Sequence, residues 1–276
     1  MNVGIGLPNT TPDAEGPLLV EWARLADAGP FTSVAVLDRL VYGGIEPFAA
    51  LSAAAAVTER VRLATMIVIG PLRANALVAK QAAAIQTLSG GRLTLGLGLG
   101  ARSDDYEAAG VSERDRGRRL SEQLAYLRAG IDEQRLGAPR AGLEILVGGS
   151  SGPAFARMAR YADGYAHGGG PPRAFASAAA KAHAAWSDLG RPGRPRLWGQ
   201  AYFALGDPER GTAYLRDYYA FTGPFAENIA SANLVTPRAI KDLVRGYEEE
   251  GCDELVLLPT VSDLDEVGRL AEVLAG

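Results

Sequence analysis

The stretch of this sequence best equipped for chemistry is Glu144 to Pro153, EILVGGSSGP. Glu144 to Val147 read as a short buried strand. Gly148 and Gly149 break it, and Ser150, Ser151 and Gly152 lead into Pro153, where a helix pattern runs to Tyr161. Proline fits the first helical turn because the amide it lacks would be unpaired there anyway. The free amides of such a helix start, on a loop without bulky side chains, suit an anion, usually a phosphate. A plain strand–helix turn has the same look, since Gly-rich turns of this kind are common. A second small-residue loop, Gly168-Gly169-Gly170-Pro171-Pro172, follows the apolar run Gly164 to His167. Because the two loops follow neighbouring strand patterns, both can grip one phosphate. Loop flexibility alone explains the second equally well.

Polar candidates are few. His167 at a strand end reads as a phosphate donor, a general acid or a satisfied structural histidine. Asp38-Arg39 reads as an internal ion pair or as part of a site. Arg73 and Arg102 suit anionic groups, or are solvated loop charges. Asp104, Asp105 and Tyr106 fit acid–base work, although surface acids have the same appearance. His183 sits in an Ala-rich helix, outside any site. Gly96, Gly98 and Gly100 share one strand face by their period of two. Glycines weaken a strand unless something approaches its backbone closely. That neighbour is a flat cofactor ring, a packed helix or a tight interior. No GxSxG elbow is present, which argues against a hydrolase of that type.

These residues need elements to position them. Strand patterns cover Val3–Leu7, Ser33–Leu37, Val61–Ile69, Leu93–Leu99, Glu144–Val147, Gly164–His167, Leu197–Leu205 and Glu254–Leu258. Helix patterns alternate with them: Pro17–Ala28, Pro47–Val57, Ala76–Leu88, Arg114–Ala129, Pro153–Tyr161, Arg173–Leu189, Asp207 to about Tyr219, Thr236–Glu250 and Asp263–Leu274. Phe221–Ser231 is less regular, a lid or a helix connection. No linker-like gap interrupts the alternation. A single (β/α)8 TIM barrel over 1–276 is therefore expected, with a doubly wound open sheet as the alternative. In a barrel the working face lies at the C-terminal strand ends. Ser89-Gly90-Gly91-Arg92 precedes a strand and belongs to the opposite, structural face.

Composition excludes other classes. The chain has 276 residues and a net charge of −4, with no basic block, so nucleic acid is not an expected partner. One cysteine, Cys252, gives no internal disulfide and suits a reducing, cytoplasmic setting. Two histidines and one cysteine make a metal site improbable. The chain opens on a strand pattern, without a signal-peptide layout. No apolar run approaches the roughly 20 residues of a membrane span.

At these residues the sequence resembles the luciferase-like monooxygenase superfamily, bacterial-luciferase-like (β/α)8 enzymes that use FMN or its 5-deaza analogue, coenzyme F420. The resemblance rests on TERVRLATMIVIGPLR and AKQAAAIQTLSGGRLTLGLGLG between Thr58 and Gly100, on VGGSSGPAFARMARYADGY, and on the closing EEEGCDELVLLP. It implies a non-prolyl cis peptide behind the flavin ring, matched here to Met66–Ile67, and Asp38 counts among the cofactor-binding candidates. It also implies a phosphate loop at Gly148, Gly149, Ser150, Ser151 and Gly152. A second phosphate contact falls at His167 and Gly168, and a ring-side stretch at Gly98 and Gly100. Two positions depart from the pattern. Deazaflavin-dependent dehydrogenases of the family carry His after the strand-two Asp and Glu after the strand-four glycines. Arg39 and Ala101 stand there instead, so the acid–base pair for simple alcohol oxidation is missing.

The expected function is a flavin- or deazaflavin-dependent oxidoreductase, acting by hydride transfer to, or oxygenation of, a small organic substrate. Arg39, Arg102 and His167 are the catalytic candidates. The rivals are a barrel that binds flavin without catalysis and a phosphate-substrate barrel enzyme without flavin. The resemblance further implies a homodimer paired through the second and third helices. Pro47–Val57 has more alanines than its inner face needs.

Overall fold

In the computed structural model, residues 1–129 and 142–276 are described. The strands are β1 (Asn2–Gly6), β2 (Ser33–Val36), β3 (Arg62–Thr65), β4 (Val68–Ile69), β5 (Leu93–Gly98), β6 (Glu144–Gly148), β7 (Gly164–Ala166), β8 (Arg196–Phe203) and β9 (Glu254–Pro259). All are parallel, in the order β3-β2-β1-β9-β8-β7-β6-β5-β4, and a β3–β5 pairing closes the ring. β3 and β4 are two pieces of one stave, so the sheet is a closed eight-stave TIM barrel. The open doubly wound sheet is thereby excluded.

The expected third strand, 61–69, is broken at Met66–Ile67, whose peptide is cis, as the resemblance implies. The register explains the break. Leu63 and Ala64 face Leu93 and Thr94, thirty positions on, whereas Val68 and Ile69 face Leu97 and Gly98, twenty-nine positions on. One extra residue therefore sits in this stave, which is the definition of a β-bulge.

The helices, in chain order, are α1 (Gly16–Ala28), α2 (Pro47–Val57), α3 (Asn75–Leu88), α4 (Ser103–Ala108), α5 (Arg116–Arg128), α6 (Gly152–Tyr161), α7 (Pro172–Asp188), α8 (Pro208–Tyr218), α9 (Phe225–Ser231), α10 (Pro237–Glu249) and α11 (Asp265–Ala275). The irregular stretch 221–231 resolves into a 3-10 turn, Ala220–Thr222, followed by α9. Helix α4 was not expected, because six residues carry too little apolar periodicity to be read. Thr236 caps α10, its hydroxyl accepting from the Ala239 amide at 3.2 Å.

Side-chain alternation along the strands sorts two cores. Val34, Leu63, Val147, Leu197 and Leu257 face the helices. Ala35, Ala64, Leu146, Trp198 and Val256 fill the barrel interior. On the N-terminal face, Arg92 donates to the carbonyls of Thr58 at 2.6 Å and Val61 at 2.5 Å. Ser89-Gly90-Gly91-Arg92 therefore clamps the base of the barrel.

Candidate active site

The turn after β6 and the loop after β7 meet at the C-terminal end of the barrel. A cavity of about 520 Å³ runs between them, lined by Met66, Ile67, Gly148, Gly149, Ser150, His167, Gly168 and Gln200. Residues from both small-residue loops and from the stave-three bulge thus share one space. The two loops are bare in different ways. A β-carbon on Gly168 would meet nothing within 4 Å, so the space there is open, whereas Gly149 holds φ at +124°, where side chains are strained, and a β-carbon on it would stand 2.9 Å from that of Ala154. The amides of Ser150, Ser151 and Gly152 donate to no acceptor among the described residues. They lie at the start of α6, where helix geometry leaves such groups without partners.

His167 follows β7 and is boxed by Tyr165, Phe175 and Tyr247, with ring centroids 6.2, 5.7 and 6.4 Å away. Both of its ring nitrogens are buried without a hydrogen-bond partner among the described residues. Burial pushes the imidazole below its ordinary value, opposed in part by the nearby Gly169 backbone, whose approach falls short of hydrogen-bond geometry. Its neutral form is favoured, leaving one donor and one acceptor to offer. Unpartnered buried polar atoms are rare in native proteins. Two on one ring beside a cavity mark a place where a ligand can bond.

Three polar lining residues escaped the sequence reading. Gln200 shares its strand parity with Trp198 and Tyr202, and its amide donates to the Gly168 carbonyl at 3.3 Å. A lone amide on the inner face of an apolar strand was the available signal. Ser177 and Lys181 also line the cavity, four residues apart on α7. That spacing puts them on one helix face. His183, on the same helix, is exposed and does not line the cavity.

The other candidates are engaged elsewhere. Asp38 and Arg39 do not pair with each other. The Asp38 carboxylate accepts from Arg73 at 2.6 and 3.0 Å and from the Ile69 amide at 2.8 Å, tying β2 to β4. Arg39 donates to Asp105 at 3.2 Å and to the Val41 carbonyl at 3.1 Å, and its guanidinium lies over the rings of Tyr42 and Tyr218. Asp105, fully buried, also accepts the Leu40 and Val41 amides at 3.0 and 2.7 Å. This is a structural clamp on the loop after β2, and it accounts for Asp105 without acid–base work. Arg102 pairs with Asp104 and lies 4.7 Å from the Phe221 ring centroid. The Tyr106 hydroxyl donates to the Leu99 carbonyl, and burial pushes it up to about 12. Cys252 is buried and its thiol is pushed up to about 12 by burial, which disfavours the reactive thiolate.

Gly98 and Gly100 lie beside the cavity rather than in its lining. What approaches these glycines is the bulge: a β-carbon on Gly96 would stand 2.1 Å from the Thr65 carbonyl, and one on Gly98 2.6 Å from Cδ1 of Ile67. Gly100 meets Ile69 in the same way, at 2.9 Å. Ser151 and Gly152 also lie outside the lining, Ser151 facing a neighbouring groove.

Tyrosines from β8, α8 and the loop after β2 pack in the same interior cluster as Met66 and Ile67. The hydroxyls of Tyr202 and Tyr219 are 2.6 Å apart, that of Tyr214 is 2.8 Å from Thr10 Oγ1, and Tyr42 donates to Asp217 at 2.7 Å. Burial raises Tyr202 and Tyr218 well above ordinary phenols, so they stay neutral. The run YLRDYYAF was the sequence signal, unread because its tyrosines follow helical rather than site-like spacing.

Comparison with known proteins sets this geometry in context. The family profile described as luciferase-like monooxygenase matches residues 1–254. An uncharacterized protein of Mycobacterium tuberculosis strain H37Rv is 38% identical over 143 residues, covering 46% of this chain and 49% of that protein. The chain thus matches about half the length of this curated relative. Among solved structures, an F420-dependent secondary alcohol dehydrogenase in complex with an F420–acetone adduct superposes with a TM-score of 0.81 at 16% identity, over 99% of this chain and 97% of the other. The oxygenating constituent of 3,6-diketocamphane monooxygenase from Pseudomonas putida, in complex with FMN, gives 0.72 at 15%, over 99% and 96%. At such identities these two likenesses show the fold.

Proposed function

The chain belongs to the luciferase-like monooxygenase family, and on that premise we propose that it is a flavin- or deazaflavin-dependent oxidoreductase acting on a small organic substrate. One observation carries the reading: a single cavity of about 520 Å³ joins the Met66–Ile67 bulge to the bare turn at Gly148, Gly149 and Ser150. Such a cavity has room for a flat ring at one end and a phosphate at the other. The residues fit such a group. Free amides at the start of α6 and the two nitrogens of His167 have no partner among the described residues.

When bound, FMN or F420 supplies the hydride chemistry, or with FMN the activation of oxygen. The protein's part is binding and exclusion. The α6 amides hold the anion, with Ser177 and Lys181 facing it from α7. His167 donates one hydrogen bond as a neutral imidazole. Met66 and Ile67 back the ring. The tyrosine cluster packs behind Met66 and Ile67 and keeps water from that side of the ring. Arg39 and Arg102, bound in ion pairs, brace the aromatic side chains beside them. With Arg39 and Ala101 at the positions where related dehydrogenases have His and Glu, reduction of a C=C or C=N bond, or oxygen insertion, suits the site better than alcohol oxidation.

Turnover of enones, imines and aldehydes by the protein with reduced cofactor tests this reading. Consumption of one class is expected. Tight cofactor binding with no turnover of any class would instead support a non-catalytic flavin-binding barrel.

A further inference from the structure

A second groove, of about 500 Å³, flanks the same turn. Ser150 and Phe155 line the first cavity; Ser151, Pro153 and Arg157, their neighbours in sequence, line the second. Its walls bring Arg114, Arg116 and Arg157 together with a single carboxylate, Glu113. Glu113 is taken by Arg116. Arg114 is exposed and has no acidic partner among the described residues. Arg157 donates to the Ser121 hydroxyl at 3.0 Å and likewise meets no carboxylate among the described residues. Half-buried, its guanidinium is held below the ordinary value by loss of solvent. Gly117 makes room for it: a β-carbon there would lie 2.7 Å from an Arg157 terminal nitrogen. A partly desolvated charge without a counter-ion is unfavourable and is relieved by an anion.

We propose that this arginine groove seats an acidic extension of the cofactor, continuing past the phosphate held at the start of α6. The inference rests on the proposed function and narrows it. FMN ends in a phosphomonoester, which fills the first site and has nothing to place in the second. In F420 the phosphate is a diester that continues into a lactyl chain bearing γ-linked glutamates, each adding a carboxylate. The groove therefore selects a deazaflavin with an acidic tail. Arg114 and Arg157 are the specificity residues, and Arg116, partnered by Glu113, contributes less.

Fluorescence titration of the full-length protein with four probes tests this: F420 with several glutamates, F420 with one, the phosphate-free deazaflavin nucleoside, and FMN. The long-tailed form should bind about tenfold tighter than the single-glutamate form, since exposed charge pairs are individually weak but sum. Raised salt should erode the difference. Arg114→Gln with Arg157→Gln should abolish it while leaving FMN and nucleoside binding unchanged. Gly117→Ala, which displaces Arg157 and keeps the helix, should weaken only the long-tailed form. Affinity independent of tail length, or equal losses for FMN and F420 in the variants, overturns the groove assignment and leaves the proposed function standing. Failure of all four probes overturns both.

Discussion

A β-carbon on Gly98 would lie 2.6 Å from Cδ1 of Ile67, a residue that lines the cavity, whereas one on Gly96 would lie 2.1 Å from the backbone carbonyl of Thr65. A side-chain end can move; a strand carbonyl inside a closed barrel cannot. Gly98→Ala is accordingly expected to cost about 1 kcal/mol and Gly96→Ala about 3 kcal/mol or more, within the range for overpacked cores. Gly98→Ala should also weaken cofactor binding, because Ile67 is pushed toward the ring space. Urea melts and titrations check both. Equal costs for the two variants would contradict the packing account.

Arg39 is expected to act on stability before activity. Its partner Asp105 is fully buried. Arg39→Met leaves that carboxylate without its cation, which typically costs about 3–5 kcal/mol. Asp105→Asn keeps an oxygen for the Leu40 and Val41 amides and should cost less. The double variant should be more stable than the sum of the single costs predicts. An Arg39→Met protein of unchanged stability that has lost turnover would restore Arg39 as a catalytic group.

His167 sets a pH dependence. Its folded-state pKa lies below the ordinary value of about 6.5. Between the lowered value and about 6.5 the unfolded chain binds more protons at this site, so stability rises with pH through that window. The contribution is fully present above the ordinary value and lost as pH falls below it. His167→Gln should flatten this part of the stability profile between about pH 7.5 and pH 5, measured by chemical denaturation. A variant whose profile matches the parent would show that another group is responsible.

The proposed anion site should answer to charge. Gly149→Asp joins an acid to a position where side chains are strained, with φ at +124°. Ser150→Asp, on the same turn at a non-glycine backbone position, isolates the charge. Either should lower cofactor affinity at least about tenfold, or 1.4 kcal/mol. Lys181→Met should lower it in the same direction and by less. Unchanged binding in Ser150→Asp would move the anion site elsewhere.

A homodimer is expected through α2 and α3. Ala49 and Ala56 are exposed on α2, and Leu77 and Leu88 on α3 are 53% and 58% exposed. Small and apolar side chains on adjacent helices suit close helix contact. Sedimentation at micromolar concentration should give twice the chain mass; a 28.9 kDa species alone contradicts pairing.

The strand and helix alternation was legible because each element buries one face with its own period. The turn between β6 and α6 was legible because its glycines, serines and proline are consecutive. The roles of Asp38, Arg39 and Asp105 were not, since Arg39 and Asp105 are 66 positions apart and only barrel closure brings them together. The β5 glycines were noticed but their neighbour was unspecified; it is the extra residue of the adjacent stave, which only register reveals. Gln200 and Lys181 went unread because a single polar residue in a strand or an Ala-rich helix carries no spacing pattern.

Titration of the protein with FMN and with F420, followed by fluorescence quenching, tests the central claim most directly. Saturable one-to-one quenching of at least one of them is predicted, with the affinity reduced about tenfold in Ser150→Asp. No saturation by either cofactor up to about 1 mM, an affinity of only about 4 kcal/mol, would contradict the account and favour a barrel that works on a phosphorylated substrate without flavin.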